Sequence, residues 1–401
     1  MATKKLSINQ LSFFLALTYM VSYITRIYYG AVISEMVDQT GLSRAVLSMA
    51  LTGSFITYGT GQIISGICGD KFSPKKLVFY GLSLSIGMNL LIPFCKNPYL
   101  MLVVWSINGF AQAFMWPPIV KILTVSATPD EYKKACGRIS WGSSVGTIVV
   151  YLMAPILISV SGWRTVFFAS ALCGIIMLFV WNRYCPSVEA GSSSAKAEKS
   201  ASSRSTVSLV FTPIMICIML GIILQGILRD GVTTWMPSYI SETYNLGNAI
   251  SILTGVILPL FSIACFQIGT HLYRKVIKNP LSCAGVFFAA GTVSALALYL
   301  FSDANAAFSV LASAVLTGAM HGVNLMLICM IPPAFEKYGK VSTISGIINS
   351  CTYIGSAISS YGIAVLSEQM GWTFTIFVWF AIALAGTIIC FACAKPWKKY
   401  E

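Results

Sequence analysis

The sequence predicts an all-α membrane protein of about twelve spanning helices, arranged as two six-helix bundles related by a parallel pseudo-twofold repeat. Three observations carry that prediction. Of 401 residues, 56% are hydrophobic and only 10% are charged, whereas soluble domains carry roughly 25% charged residues. The apolar stretches run unbroken for about 20 residues, enough at about 1.5 Å per residue to cross a hydrocarbon layer of roughly 30 Å. Short sequence fragments also recur in the same order in both halves. The composition excludes an ordinary soluble enzyme, and continuous rather than alternating hydrophobicity excludes a β-barrel.

Taken in order, the spans are expected at about 8–32, 45–69, 76–95, 99–123, 137–160, 164–184, 207–237, 248–270, 281–301, 306–331, 342–366 and 373–394. The formal net charge is +13, but the basic residues sit in short loops between apolar spans, which argues against nucleic acid as a partner. Of the 26 Lys and Arg, only Arg26, Lys121 and Arg229 lie well inside spans. Arg44, Lys96 and Arg164 lie in loops or at span ends on one side, and all the others on the opposite side. That bias places both termini in the cytoplasm of a multi-pass plasma-membrane protein. The Lys4-Lys5 pair precedes an apolar stretch too long for a cleaved leader, so residues 8–32 are read as the first span. The 12 Cys lie almost wholly within spans and read as small hydrophobes; even Cys390 and Cys393, at i and i+3, suggest neither metal nor disulfide. No metal or cofactor is expected.

Residues 185–206 turn hydrophilic and Ser/Ala/Lys-rich, the composition of a flexible linker. They divide the chain into an N-terminal bundle, 1–184, and a C-terminal bundle, 207–401. Ile33-Ser34-Glu35 recurs as Ile240-Ser241-Glu242, Leu51-Thr52-Gly53 as Leu253-Thr254-Gly255, Pro117-Pro118 as Pro332-Pro333, and Gly162-Trp163 as Gly371-Trp372. Each match is weak alone; their shared order indicates an internal duplication. Six is even, so both halves run in the same orientation, the plan of transporters with a central site.

An ionisable group inside a span costs at least a few kcal/mol and marks a functional candidate. Arg26 and Arg229 occupy corresponding helices. Facing each other, two guanidiniums would make a doubly cationic site whose planar forks suit phosphate or carboxylate oxygens. The competing reading is an Arg that snorkels to the interface or joins two helices. Asp230 could neutralise Arg229, although consecutive residues point about 100° apart on a helix. Tyr23 and Tyr19 share the face of Arg26 and are candidates to line a cavity. Trp235 and Tyr239 follow Arg229, and belong either to the substrate cavity or to the interfacial aromatic belt. His321, the only histidine well inside a span, either carries a proton, contacts substrate or is a satisfied packing residue.

The cytoplasmic loop Gly69-Asp70-Lys71-Phe72-Ser73-Pro74-Lys75-Lys76 resembles the Gly-Asp-basic loop of major facilitator proteins. The resemblance implies that the Asp caps a helix end and holds the cytoplasmic gate, with Gly69, Asp70, Lys71 and Lys75 as gating residues. Its counterpart, Gly269-Thr270-His271, lacks the acid. Further features are Asn108-Gly109-Phe110-Ala111-Gln112, Trp116-Pro117-Pro118 followed by Lys121, Tyr23 before Arg26, and Arg229-Asp230-Gly231 before Trp235 and Pro237. Together they resemble the organophosphate:phosphate antiporters, which include glycerol-3-phosphate and hexose-phosphate carriers.

That resemblance covers nearly the whole chain and implies that Arg26 and Arg229 bind the substrate phosphoryl group. It adds Lys121, Gln62 and Ser143 as binding candidates. Gln62 stands where a basic residue is common, Ser143 near a histidine of the glycerol-phosphate carriers, and Ile27 where Lys often follows the first Arg. The reduced positive charge admits a smaller or singly charged anion. The expected function is secondary active transport of a small organic anion, a sugar phosphate foremost, by alternating access and in exchange for phosphate. Proton coupling, with Asp230, His321 and Glu35 as carriers, is the other route. No catalytic motif points to an enzyme. Alternatives are a membrane sensor that binds phosphorylated sugars without moving them, a carrier of small carboxylates, and a drug exporter, for which only Asp230 supplies a buried acid. The expected partners are the anion and the lipid bilayer, with the protein acting as a monomer.

Overall fold

The computed structural model describes residues 6–42, 44–186, 210–246, 254–301 and 305–398. The linker expected at 185–206 lies, from residue 187 onward, outside the described residues. The helices are α1 (Ile8–Thr40), α2 (Arg44–Lys71), α3 (Pro74–Leu91), α4 (Pro98–Gln112), α5 (Trp116–Ser126), α6 (Pro129–Ser161), α7 (Trp163–Tyr184), α8 (Pro213–Tyr244), α9 (Ile257–Lys275), α10 (Pro280–Leu300), α11 (Ala306–Asn324) and α12 (Val341–Trp397). A π-helical turn, Leu325–Cys329, and a 3₁₀ segment, Pro332–Tyr338, continue α11. α4 and α5 together make one span. α12 breaks at Gly371, whose φ of 78° only glycine adopts readily, and so supplies two. Each of the twelve predicted spans therefore corresponds, among the described residues, to a helical segment. Among the described residues, nine segments are long and apolar enough to cross a membrane. α2 and the first arm of α12, which are rich in Gly, Ser and Thr, and α9, which carries Gln267 and His271 and ends in Arg274 and Lys275, are not among them.

Local chemistry fixes the helix ends. Ser7 and Gln10 form a reciprocal capping box at the start of α1. Gly41, with φ 69°, ends that helix in the left-handed conformation. Proline occupies the first helical position of α3, α4, α6, α8 and α10, where its missing N–H costs nothing. At α6 the Thr128 N–H and hydroxyl donate to the Glu131 carboxylate at 2.9 and 2.7 Å, holding it below the usual carboxylate range.

Contacts divide the chain into two units: residues 1–201 with 335–350, and residues 202–334 with 351–401. In the first unit, Tyr29, Trp105, Trp163 and Phe167 form the aromatic centre of an apolar core, with contacting ring centroids 5.1 to 6.2 Å apart. α1 lies close against α6, because Gly142 and Gly146 sit on the Ala16 and Met20 carbonyls. A Cβ at Gly142 would overlap the Ala16 oxygen. Gly142→Val is therefore expected to cost about 1–3 kcal/mol and to lower the thermal unfolding midpoint. Gly87→Ala, inside α3 where the added Cβ would meet nothing within 4 Å, should hold or slightly raise the midpoint.

In the second unit, Gly226 of α8 and Gly355 of α12 make the same kind of approach, each against the other helix's backbone. Small residues at such crossings let helices pack by backbone contact where lipid offers no hydrophobic drive.

Candidate functional site

Within the first unit, the Arg26 guanidinium carbon lies 4.4 Å from the centroid of the Tyr23 ring and 4.6 Å from that of Tyr58. A half-buried cation against two aromatic faces is held by their quadrupoles, at about 2 kcal/mol when desolvated. Tyr19 lies 5.1 Å from Tyr23 and 5.0 Å from Trp116, so the predicted tyrosine face extends down α1. Tyr58 was not legible: it lies on α2, and nothing in its spacing ties it to Arg26. Tyr28 and Tyr29 are buried in the apolar core, and the Tyr29 hydroxyl donates to the Leu47 carbonyl at 3.2 Å.

The second unit holds Arg229 in a different way. Its Nε and Nη2 donate to the two Asp230 carboxylate oxygens at 2.6 and 2.8 Å. The Ser356 hydroxyl donates to the same carboxylate and also lies 3.0 Å from the Thr352 carbonyl. The expectation that neighbouring residues diverge by about 100° did not assure this pair. The long guanidinium arm swings back far enough to make it bidentate. Ser356 gave no signal in the sequence, being one serine in a Ser-rich helix.

His321 brings Nδ1 to 2.9 Å from the Thr317 carbonyl and 3.0 Å from the Ser262 hydroxyl. A carbonyl only accepts, so the Thr317 bond forms in the tautomer protonated at Nδ1. The ring also stands edge-on to Phe266 at 5.6 Å. Trp235, six residues after Arg229, lies about 240° around the helix from it and so on another face. Tyr239 is buried, its hydroxyl 3.2 Å from Ser309 Oγ and its ring 5.5 Å from Trp372.

Three residues expected to contact the anion have their polar groups engaged within the first unit. Lys121, 1% exposed, donates from Nζ to the Gly69 and Asp70 carbonyls at 2.8 and 3.0 Å and lies 3.9 Å from the Asp70 carboxylate. It thus satisfies carbonyls at the C-terminal end of α2. Gln62, fully buried, donates to the Ala113 carbonyl at 3.1 Å and accepts from Asn349 at 3.0 Å. Ser143 bonds back to the Ser140 carbonyl at 2.7 Å.

Asp70 accepts from the Ser342 and Thr343 N–H groups at 3.2 and 2.8 Å and from the Thr343 hydroxyl at 2.6 Å. It thereby caps the first turn of α12. Burial pushes its carboxyl above the usual range, and the Thr343 bonds and the Lys121 charge pull against that shift. Gly69 packs against Ser342. Lys75 caps the end of α7, donating to the Asn182 and Cys185 carbonyls at 3.1 and 2.8 Å, while Lys71 is exposed. Asp70→Asn turns one carboxylate oxygen into a donor facing other donors. Amide hydrogen exchange at residues 341–344 should accelerate, and stability should fall by about 1–3 kcal/mol. Unchanged exchange there would remove Asp70 as the cap.

The chain is similar to known proteins over most of its length. The chain is 22% identical over 386 residues to the "Probable hexose phosphate transport protein" of Chlamydia muridarum, covering 88% of this chain and 84% of that one. It is 23% identical over 383 residues to the membrane sensor protein UhpC of Salmonella typhimurium, covering 89% and 85%. The structure of the proton:xylose symporter XylE bound to 6-bromo-6-deoxy-D-glucose superposes with a TM-score of 0.74 at 14% identity, over 96% of both chains. Similarity that low establishes the fold alone. The pattern defining the Major Facilitator Superfamily matches residues 15–360, and the chain belongs to that superfamily.

Proposed function

We propose that the protein is a secondary transporter that moves a small organic anion, a sugar phosphate foremost, by alternating access and in exchange for phosphate. The observation that carries this reading is the pair of span arginines, one in each unit, each oriented by neighbours of its own unit: Arg26 on the Tyr23 and Tyr58 rings, Arg229 on the Asp230 carboxylate. Such cations, held inside apolar spans at several kcal/mol, are suited to phosphoryl oxygens, which accept two parallel bonds from a guanidinium. The hexose phosphate transport relative supports this substrate class. Lys121 and Gln62 then serve the cytoplasmic gate with Asp70 rather than the anion. The protein acts as a monomer in the plasma membrane, with both termini cytoplasmic, as the loop charges imply.

The sensor relative favours one second reading, binding without movement. Purified protein in vesicles loaded with inorganic phosphate separates the two. A transporter accumulates external labelled glucose 6-phosphate, whereas a sensor is stabilised by the same ligand and accumulates none. Uptake that proceeds unchanged in both Arg26→Ala and Arg229→Ala would sink the site assignment.

A further inference from the structure

The Asn108 to Gln112 stretch belongs to a buried polar cluster for which neither anion contact nor gate accounts. Gln112 donates from Nε2 to the Thr25 and Ser85 hydroxyls, both at 2.7 Å. Ser85 donates onward to Asn108 Oδ1 at 2.6 Å, and Asn108 donates to the Thr25 carbonyl at 3.2 Å. Asn89 donates to the same carbonyl and to the Ser85 carbonyl, both at 2.9 Å. The Ser170 hydroxyl lies 3.1 Å from Asn89 Oδ1 and 3.3 Å from the Ile24 carbonyl. All six side chains are 0–1% exposed.

Residues of α3, α4 and α7 therefore converge on one turn of α1, at the two residues immediately before Arg26. The carbonyls of a helix interior already have intrahelical donors, so stability of α1 does not require these bonds. A buried network is tolerable only when its members are connected, and here every member is. What directional bonds add over apolar packing is register. A one-residue slip of α1 would turn its side chains by about 100° and shift them by about 1.5 Å. On another face of α1, Gly146 seats the Met20 carbonyl and the Tyr23 Cβ, so that two sets of contacts fix the turn bearing Tyr23 and Arg26.

We propose that Gln112, Asn108, Asn89, Ser85 and Ser170 are positioning residues for Arg26: they set the rotation of α1 that presents its guanidinium to the anion. This rests on the reading of Arg26 as an anion contact. Gln112→Met keeps the volume and leaves no orphaned donor, since Thr25 and Ser85 still donate elsewhere. The probes are inorganic phosphate and glucose 6-phosphate, with affinity read from thermal-shift titration and turnover from counterflow in vesicles. Gln112→Met is expected to weaken binding about tenfold, with turnover at saturation within about twofold and the anion-free unfolding midpoint unmoved. Ser170→Ala should act in the same direction by about threefold, and it stands in should Gln112→Met fail to fold.

In an Arg26→Lys background, where the fork is already lost, Gln112→Met should weaken binding no further. The proposal is overturned if Gln112→Met and Ser170→Ala leave affinity unchanged, or if they weaken it equally in the Arg26→Lys background, since the cluster would then act independently of the guanidinium. Arg26→Ala alone distinguishes the two levels. If it weakens binding while the cluster variants do not, only positioning fails. If it leaves affinity unchanged, or if the unsubstituted protein is stabilised by neither probe, the reading of Arg26 as an anion contact fails and positioning falls with it.

Discussion

Arg26→Lys and Arg229→Lys are each expected to reduce anion uptake at sub-saturating substrate by about 100-fold, nearly as much as the corresponding alanine variants. The charge survives in both, but the planar fork does not. Two charge-assisted bonds to phosphoryl oxygens, at about 1.5 kcal/mol or more each, vanish or become a single point contact. A loss of about 3 kcal/mol corresponds to roughly 100-fold in binding, with 1.4 kcal/mol to each factor of ten. At Arg26 the ammonium must also replace a planar cation between the Tyr23 and Tyr58 rings. Initial uptake rates of labelled glucose 6-phosphate decide the matter. Near-normal rates in the lysine variants would show that charge alone suffices, and that bidentate recognition is not how the anion is held.

The second large effect concerns Asp230. Asp230→Ala removes both acceptors of the Arg229 fork while the Ser356 hydroxyl keeps its alternative at Thr352. An arginine deprived of its counter-ion inside a span is a severe lesion. The expected loss lies toward the lower end of about 3–5 kcal/mol, because the carboxylate side chain keeps 23% of its surface exposed. Replacing both residues, Arg229→Met with Asp230→Leu, should restore stability and abolish anion binding. In Asp230→Ala, inorganic phosphate should raise the unfolding midpoint by more than in the unsubstituted protein, since the Asp230 carboxylate no longer competes with the anion for the guanidinium. Equal shifts in the two proteins would mean that phosphate does not engage Arg229.

Much of the fold was legible because hydropathy is a local property. The twelve helical segments follow from unbroken apolar stretches, whereas their ends follow from single residues that average hydropathy ignores. α1 was expected to stop near residue 32 but runs to Thr40, where Gly41 turns left-handed. α8 was expected at 207–237 but begins at Pro213, a favoured first position, and carries Pro237 inside the helix. Of the site, the arginines were conspicuous as charges in apolar surroundings, and Asp70 through its loop. Partners contributed from a distant part of the sequence were not: Tyr58 under Arg26, Ser356 beside Asp230, Asn349 on Gln62. The same blindness explains why Lys121 and Gln62 read as anion contacts. Their side chains are polar and lie inside spans, and only the fold reveals that carbonyls and an amide already engage them.

The start of α12 depends on an acceptor from elsewhere in the chain. The residue before Val341 is Lys340, whose side chain accepts no hydrogen bond, and the carboxylate that serves the first turn instead, Asp70, lies 272 positions before Ser342. A helix cap of this kind is worth about 0.5–2 kcal/mol, which translates into a bias of roughly 2- to 30-fold between capped and uncapped populations. That magnitude belongs to a detent rather than a lock. It is enough to define a resting position, yet small enough for thermal motion to cross without an energy source of its own.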